Sequence, residues 1–111
     1  MENKDKQVLN EIDRSLKAIL YWCKDCLSFE DFENNEMRVN VCAVNLIKIY
    51  DLADKISFDE IRIKIINTIC EYLYNICKKI TDGYSGVNMR IVWDTINDDL
   101  NPLKAEIEKY L

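Results

Sequence analysis

Apolar residues recur every three or four positions along most of this chain, a spacing that predicts helices rather than strands. The first helix is expected from about Lys4 to Leu27. Val8 and Leu9, Ile12, Leu16, Ile19 and Leu20, Cys23, and Cys26 with Leu27 would share one face. Ser28-Phe29-Glu30-Asp31 then places an acid three residues after a serine, the pattern of a capped short turn, with Phe29 and Phe32 as anchors. A second helix is expected over Glu36–Ile56, led by Met37 and carrying Val41, Val44, Ile47, Ile49, Leu52 and Ile56. Ser57-Phe58-Asp59-Glu60 reads as another capping pattern. The third helix follows over Asp59–Thr81, with Ile61, Ile65, Ile69, Leu73, Ile76 and Ile80 as its stripe.

The cluster Asp82-Gly83-Tyr84-Ser85-Gly86 ends that helix, with Gly83 suited to a left-handed cap. A fourth helix is expected over Asn88–Leu100 through Met89, Val92, Trp93, Ile96 and Leu100. Asn101-Pro102 then reads as an N-cap and first helical position, so Leu103–Leu111 would form a kinked or separate continuation. Short connections favour antiparallel neighbours. The expected fold is therefore all-α: one domain over residues 1–111, an up-and-down four-helix bundle with a kinked or split C-terminal helix.

Composition narrows the functional classes. Apolar residues are 49% of the 111 and charged residues 32%, the balance of a globular protein. No apolar run approaches the roughly 18 residues of a membrane span. The charged start MENKDKQ lacks the core of a secretory signal, so a cytoplasmic location and no membrane partner are expected. Fifteen basic against twenty acidic side chains give a net charge of −5. That balance disfavours RNA as a partner relative to protein, because nucleic-acid binding depends on neutralising phosphates. Five cysteines, an odd number in a helical setting, argue against a disulfide framework. Cys23-Lys24-Asp25-Cys26 has the spacing of a metal or redox pair. It lies within a helical pattern, however, in a chain with no histidine and no second close pair. Buried filler is the expected role, with no metal site and no cofactor.

Several short segments, in order along the chain, resemble the HepT-like proteins of the HEPN superfamily. Ala43-Val44-Asn45-Leu46-Ile47-Lys48-Ile49 is similar to the apolar segment that precedes a Gly-Glu pair in that family, here replaced by Tyr50-Asp51. Gly83-Tyr84-Ser85-Gly86-Val87, Ile91-Val92-Trp93 and Asp99-Leu100-Asn101-Pro102-Leu103-Lys104 match further on. Such proteins are small helical bacterial proteins, many of them toxins that cut RNA. Their signature is an arginine, a following polar residue, a histidine, and a tyrosine two positions later. On this chain those positions become Cys77, Lys78, Asp82 and Tyr84, so only the tyrosine is retained.

The resemblance implies a homodimer. It also implies a partner, a minimal nucleotidyltransferase that serves as antitoxin and can modify the tyrosine with AMP. The same resemblance makes Tyr84 the modification candidate, against simple packing over the bundle end. The lost residues remove the reaction. Cleavage of RNA requires a group that changes protonation near neutral pH and a cation at the phosphate. Cys77 supplies no cation, and a free aspartate titrates near 3.9, so a large shift would be needed for one to serve as the base. Lys78 and Asp82 have the spacing of an i,i+4 ion pair on a solvated face. The expectation is a catalytically degenerate protein that acts by association. Two alternatives stand beside it. One is an RNase using Lys78, Asp82 and Tyr84; the other is an unrelated structural or metal-binding module built on Cys23 and Cys26. Trp93 is expected in the core or a dimer face, and Tyr21 and Trp22 at the edge of the first helix's stripe.

Overall fold

Six α-helices and no strands make up residues 3–111, the part of the chain that the computed structural model describes. The all-helical class expected from the periodicity is present, with six helices where four, the last kinked or split, are expected. They are α1 (Asn3–Trp22), α2 (Phe29–Glu33), α3 (Glu36–Ala53), α4 (Asp59–Thr68), α5 (Glu71–Thr81) and α6 (Met89–Glu108). Helix α3 packs against α1 on one side and α5 on another, and also touches α4. Helix α6 lies against α1 and α4.

Helix α1 follows its stripe: Val8, Leu9, Ile12, Leu16 and Ile19 are all buried. It ends at Trp22, five residues earlier than expected. The Lys24 N–H donates to Tyr21 O at 3.3 Å and the Cys26 N–H to Cys23 O at 3.0 Å, which tightens the chain into a turn. Leu27, expected on the buried face, is consequently 92% exposed. The capped turn that follows is as expected. The Asp31 N–H donates to Ser28 Oγ at 3.2 Å, while the Asp31 carboxylate accepts the Leu27 N–H at 2.9 Å. Arg38 then binds this corner to α3, its Nε and Nη1 each donating at 2.7 Å, to Trp22 O and Asp31 O.

In α3 the expected face is partly wrong. Val39, Cys42, Ala43, Leu46, Ile49 and Ala53 are buried, whereas Val44 is 41% exposed and Met37 also points outward. The segment packs against α1, α2, α4 and α5, and Val44 falls on its exposed face with Met37, Lys48 and Asp51.

The stripe over 61–80 is right about burial and wrong about continuity. Ile61, Ile65, Ile69, Leu73, Ile76 and Ile80 are all buried, yet the chain breaks at Ile69 (φ −111°, ψ 85°) and Cys70 (φ −77°, ψ 168°). Ile65-Ile66-Asn67-Thr68-Ile69 is rich in β-branched residues, which lower helix propensity. Thr68 Oγ1 donates to Lys64 O at 2.9 Å in the last turn before the break. The break lets α4 lie on α6 while α5 lies on α3. Ser57 does not cap α4 either. Its N–H and hydroxyl donate to the buried Asp5 carboxylate at 2.9 and 2.7 Å, which ties the start of α1 to this loop. Those bonds hold the Asp5 carboxyl below the ordinary carboxylate range.

The expected division at Asn101-Pro102 does not occur. Helix α6 continues through Pro102 to Glu108, with Leu100, Leu103 and Ile107 buried on either side of it. An interior proline costs about 3 kcal/mol. Burial of those three side chains offsets that cost. The Lys104–Glu108 pair and Glu106, which bonds both Lys64 (2.8 Å) and Lys109 (3.0 Å), add modest support. Trp93 is in the core, as one of its two expected positions, with its ring 5.5 Å from that of Phe32.

The face of α3 separates two neighbouring substitutions. Leu46→Ala should cost about 2–5 kcal/mol of unfolding free energy. Val44→Ala should cost less than about 0.5 kcal/mol in the same denaturant titration. Equal losses would mean that α3 buries a different side.

Candidate functional site

The last two turns of α5 and the turn after it carry all four positions of the expected motif, and the helix points them in different directions. Leu73, Ile76, Cys77 and Ile80 form its buried side against the core. Cys77 is fully enclosed there, and burial pushes its thiol up to about 12. Burial disfavours the thiolate, so residue 77 offers neither a cation nor a ready nucleophile.

Lys78 is exposed and turns back along the helix, its Nζ 5.8 Å from the centre of the Tyr74 ring. Tyr74 in turn stacks on Tyr50 of α3, the centroids 4.5 Å apart. Tyr50 therefore fills the contact between α3 and α5 at the place where the resemblance had a Gly-Glu pair. Partial burial there raises its phenol above the ordinary value. The i,i+4 ion pair expected between Lys78 and Asp82 is not formed among the described residues. Asp82 is instead the exposed C-cap, and its backbone N–H donates to Lys78 O at 2.9 Å. Its exposed carboxylate forms no ion pair among the described residues.

Gly83 takes the left-handed conformation expected of it, φ +83°. The Gly83 N–H donates to Ile80 O at 3.1 Å and the Tyr84 N–H to Lys79 O at 3.0 Å, so the two bonds form a Schellman motif. That turn throws Tyr84 outward. It is 64% exposed, and its hydroxyl makes no hydrogen bond among the described residues. Packing over the bundle end, one of the two expectations for this side chain, accounts for only part of it.

Tyr84 borders an open depression of about 410 Å³. Tyr72, Ile76 and Lys79 of α5 form one wall, and Ser85 and Val87 continue from the turn. Tyr72, Ile76 and Lys79 are spaced by four and three residues, which places them on one helix face. That spacing is present in the sequence, but nothing there shows that this face borders the turn carrying Tyr84. The two adjacent lysines diverge: Lys79 faces Tyr84, Lys78 faces Tyr74. The depression thus combines one cation, two exposed phenol rings and apolar flanks. Its lining holds no carboxylate. Such a surface can engage a partner or present a hydroxyl for modification.

Elsewhere, Tyr21 is exposed with Lys24 Nζ 4.1 Å from its ring centre, and Trp22 is half-buried. Cys23 and Cys26 lie in the turn after α1. Cys23 is buried beside Cys42 of α3, a neighbour that the spacing of Cys23 and Cys26 had not indicated. Among the described residues no three His, Cys, Asp or Glu side chains are grouped to hold a metal ion. Comparison of the chain with protein-family models, curated proteins and solved structures finds no match.

The turn that presents Tyr84 depends on Gly83. A Cβ there would meet no atom within 4 Å, so the cost is conformational alone. Gly83→Ala should lower unfolding free energy by about 1–2 kcal/mol in urea titration. An unchanged midpoint would mean that this turn does not require the left-handed conformation.

Proposed function

We propose that this protein is a catalytically degenerate HepT-like member of the HEPN superfamily. In this proposal it acts by association with itself and with a minimal nucleotidyltransferase, in a toxin–antitoxin type of system in the bacterial cytoplasm. The six helices then correspond to an up-and-down four-helix bundle of α1, α3, the broken α4–α5 pair and α6, with α2 as an insertion at one corner.

One contrast at the end of α5 carries the proposal. The position where such a nuclease needs arginine is closed inside the core as Cys77, while the Tyr84 hydroxyl stands free at the tip of a rigid turn. Lost phosphate-gripping chemistry beside an accessible acceptor hydroxyl favours a binding role over cleavage. The absence of histidine and the net charge of −5 favour the same reading. In no described helix is there a stretch long and apolar enough to cross a membrane.

The chemistry asked of Tyr84 is simple. Its phenol oxygen would attack the α-phosphorus of ATP held by the partner, pyrophosphate would leave, and the phenol proton would pass to a base of the partner. Lys79, on the same depression, is positioned to meet phosphate oxygens as they arrive.

Co-expression with a minimal nucleotidyltransferase, followed by affinity capture and intact-mass measurement, tests this. The expected result is a co-purifying complex and a single adenylyl adduct that maps to Tyr84 and is absent from Tyr84→Phe. A strictly monomeric protein that captures no such partner, or an adduct at another residue, would overturn it.

A further inference from the structure

Of the five thiols, two meet across an interface between helices. Cys23, just past the end of α1, and Cys42, in the second turn of α3, have their sulfurs 3.6 Å apart and share a buried hydrogen bond. The two helices already pack against each other. We propose that Cys23 and Cys42 are an oxidant-responsive pair that a hydroperoxide converts into an intrachain disulfide joining α1 to α3. The inference does not rest on the family proposed above.

Three observations converge on it. The first is distance: a disulfide holds its sulfurs about 2.0 Å apart, so the pair needs to close by only about 1.6 Å, within reach of small side-chain adjustments. The second is access. Cys23 and Cys26 line a surface depression of about 280 Å³ with Lys24, Trp93, Asn97 and Asn101 among its walls. A small polar oxidant can enter there and reach Cys23, whereas Cys42 lies fully enclosed behind it.

The third is the local electrostatics. The hydrogen bond with Cys42, and then the Arg38 guanidinium, draw the Cys23 thiol below its ordinary value. Arg38 is fixed in that place by Trp22 O and Asp31 O. The same shared hydrogen bond and burial push Cys42 upward, which leaves Cys23 the readier nucleophile of the two. Burial likewise raises Cys26, the other cysteine of the depression, which makes it the poorer first nucleophile.

The roles follow. The Cys23 sulfur attacks one oxygen of the hydroperoxide, the O–O bond breaks, and the thiol proton leaves with the departing oxygen as water or alcohol. A sulfenic acid remains on Cys23. The Cys42 sulfur then displaces that hydroxyl, forming the S–S bond, and its proton leaves with the hydroxyl as water. Two electrons pass from the thiols to the peroxide. The bond would fix the corner that Arg38 holds, where α1 turns into α2 and α3 begins.

Full-length protein treated with a small excess of hydrogen peroxide tests the proposal, with free thiols then alkylated under denaturing conditions and peptides mapped by mass spectrometry. The expected product is a Cys23–Cys42 linked peptide, with the other three cysteines alkylated and the link removed by dithiothreitol. Its guanidinium unfolding midpoint should exceed that of the reduced form. Cys26→Ser should retain the link. Cys42→Ser should lose it and leave Cys23 as a sulfenic acid trapped by dimedone. Five alkylated cysteines after peroxide, a Cys23–Cys26 link, or only links between chains would overturn the proposal. Because the decisive map is made on the unaltered chain, a variant that fails to fold does not obscure the result.

Discussion

Helix α3 is buried on several sides at once, and the position of each chemically interesting residue follows from that constraint. Leu46 and Ile49 are fully enclosed between α1 and α5, each contributing about 1.5–3 kcal/mol through burial. For α5 to close over α3 it must turn Leu73, Ile76, Cys77 and Ile80 inward. Residue 77 is thereby committed to the core. An arginine at that position could not replace cysteine without bringing a charge into an apolar interior or rotating the helix.

The same rotation decides what α5 shows to water. Residues 78 and 79 fall on two different faces, so one lysine meets the Tyr50–Tyr74 stack and the other borders Tyr84. Asp82 ends the helix, and Gly83 reverses the chain through paired hydrogen bonds that hold Tyr84 clear of the surface. The outcome is a rigid display of a phenol hydroxyl beside one ammonium group. It lacks the histidine–arginine combination that moves a proton and stabilises a pentavalent phosphorus. Both residues suit their surroundings: Cys77 sits in the core and Asp82 in solvent.

Much of this was legible in the sequence, and the failures have physical causes. The stripe of α1, the Ser28 cap, the buried isoleucines of 61–80 and the left-handed Gly83 could all be read from spacing and residue type. Periodicity reports which side is buried and not whether the backbone is continuous. It therefore missed the break at Ile69–Cys70, where no glycine or proline gives warning. It also misplaced Val44, an apolar residue that shares the exposed face of α3 with Lys48 and Asp51. At Pro102 the opposite error arose: a strong local breaker was overridden by Leu100, Leu103 and Ile107, which hold α6 against the core on both sides. The meeting of Cys23 with Cys42 could not be read at all, since it depends on how α1 and α3 are aligned.

On the proposed function, enclosing Cys77 and exposing Asp82 leaves this scaffold without the means to cut RNA. Incubation of rigorously purified protein with labelled single-stranded RNA, with chelator present to silence contaminating metal-dependent nucleases, tests that most directly. The RNA should remain intact over hours. Cleavage that disappears in Asp82→Ala or Lys78→Ala, with the fold of the variant unchanged, would contradict it.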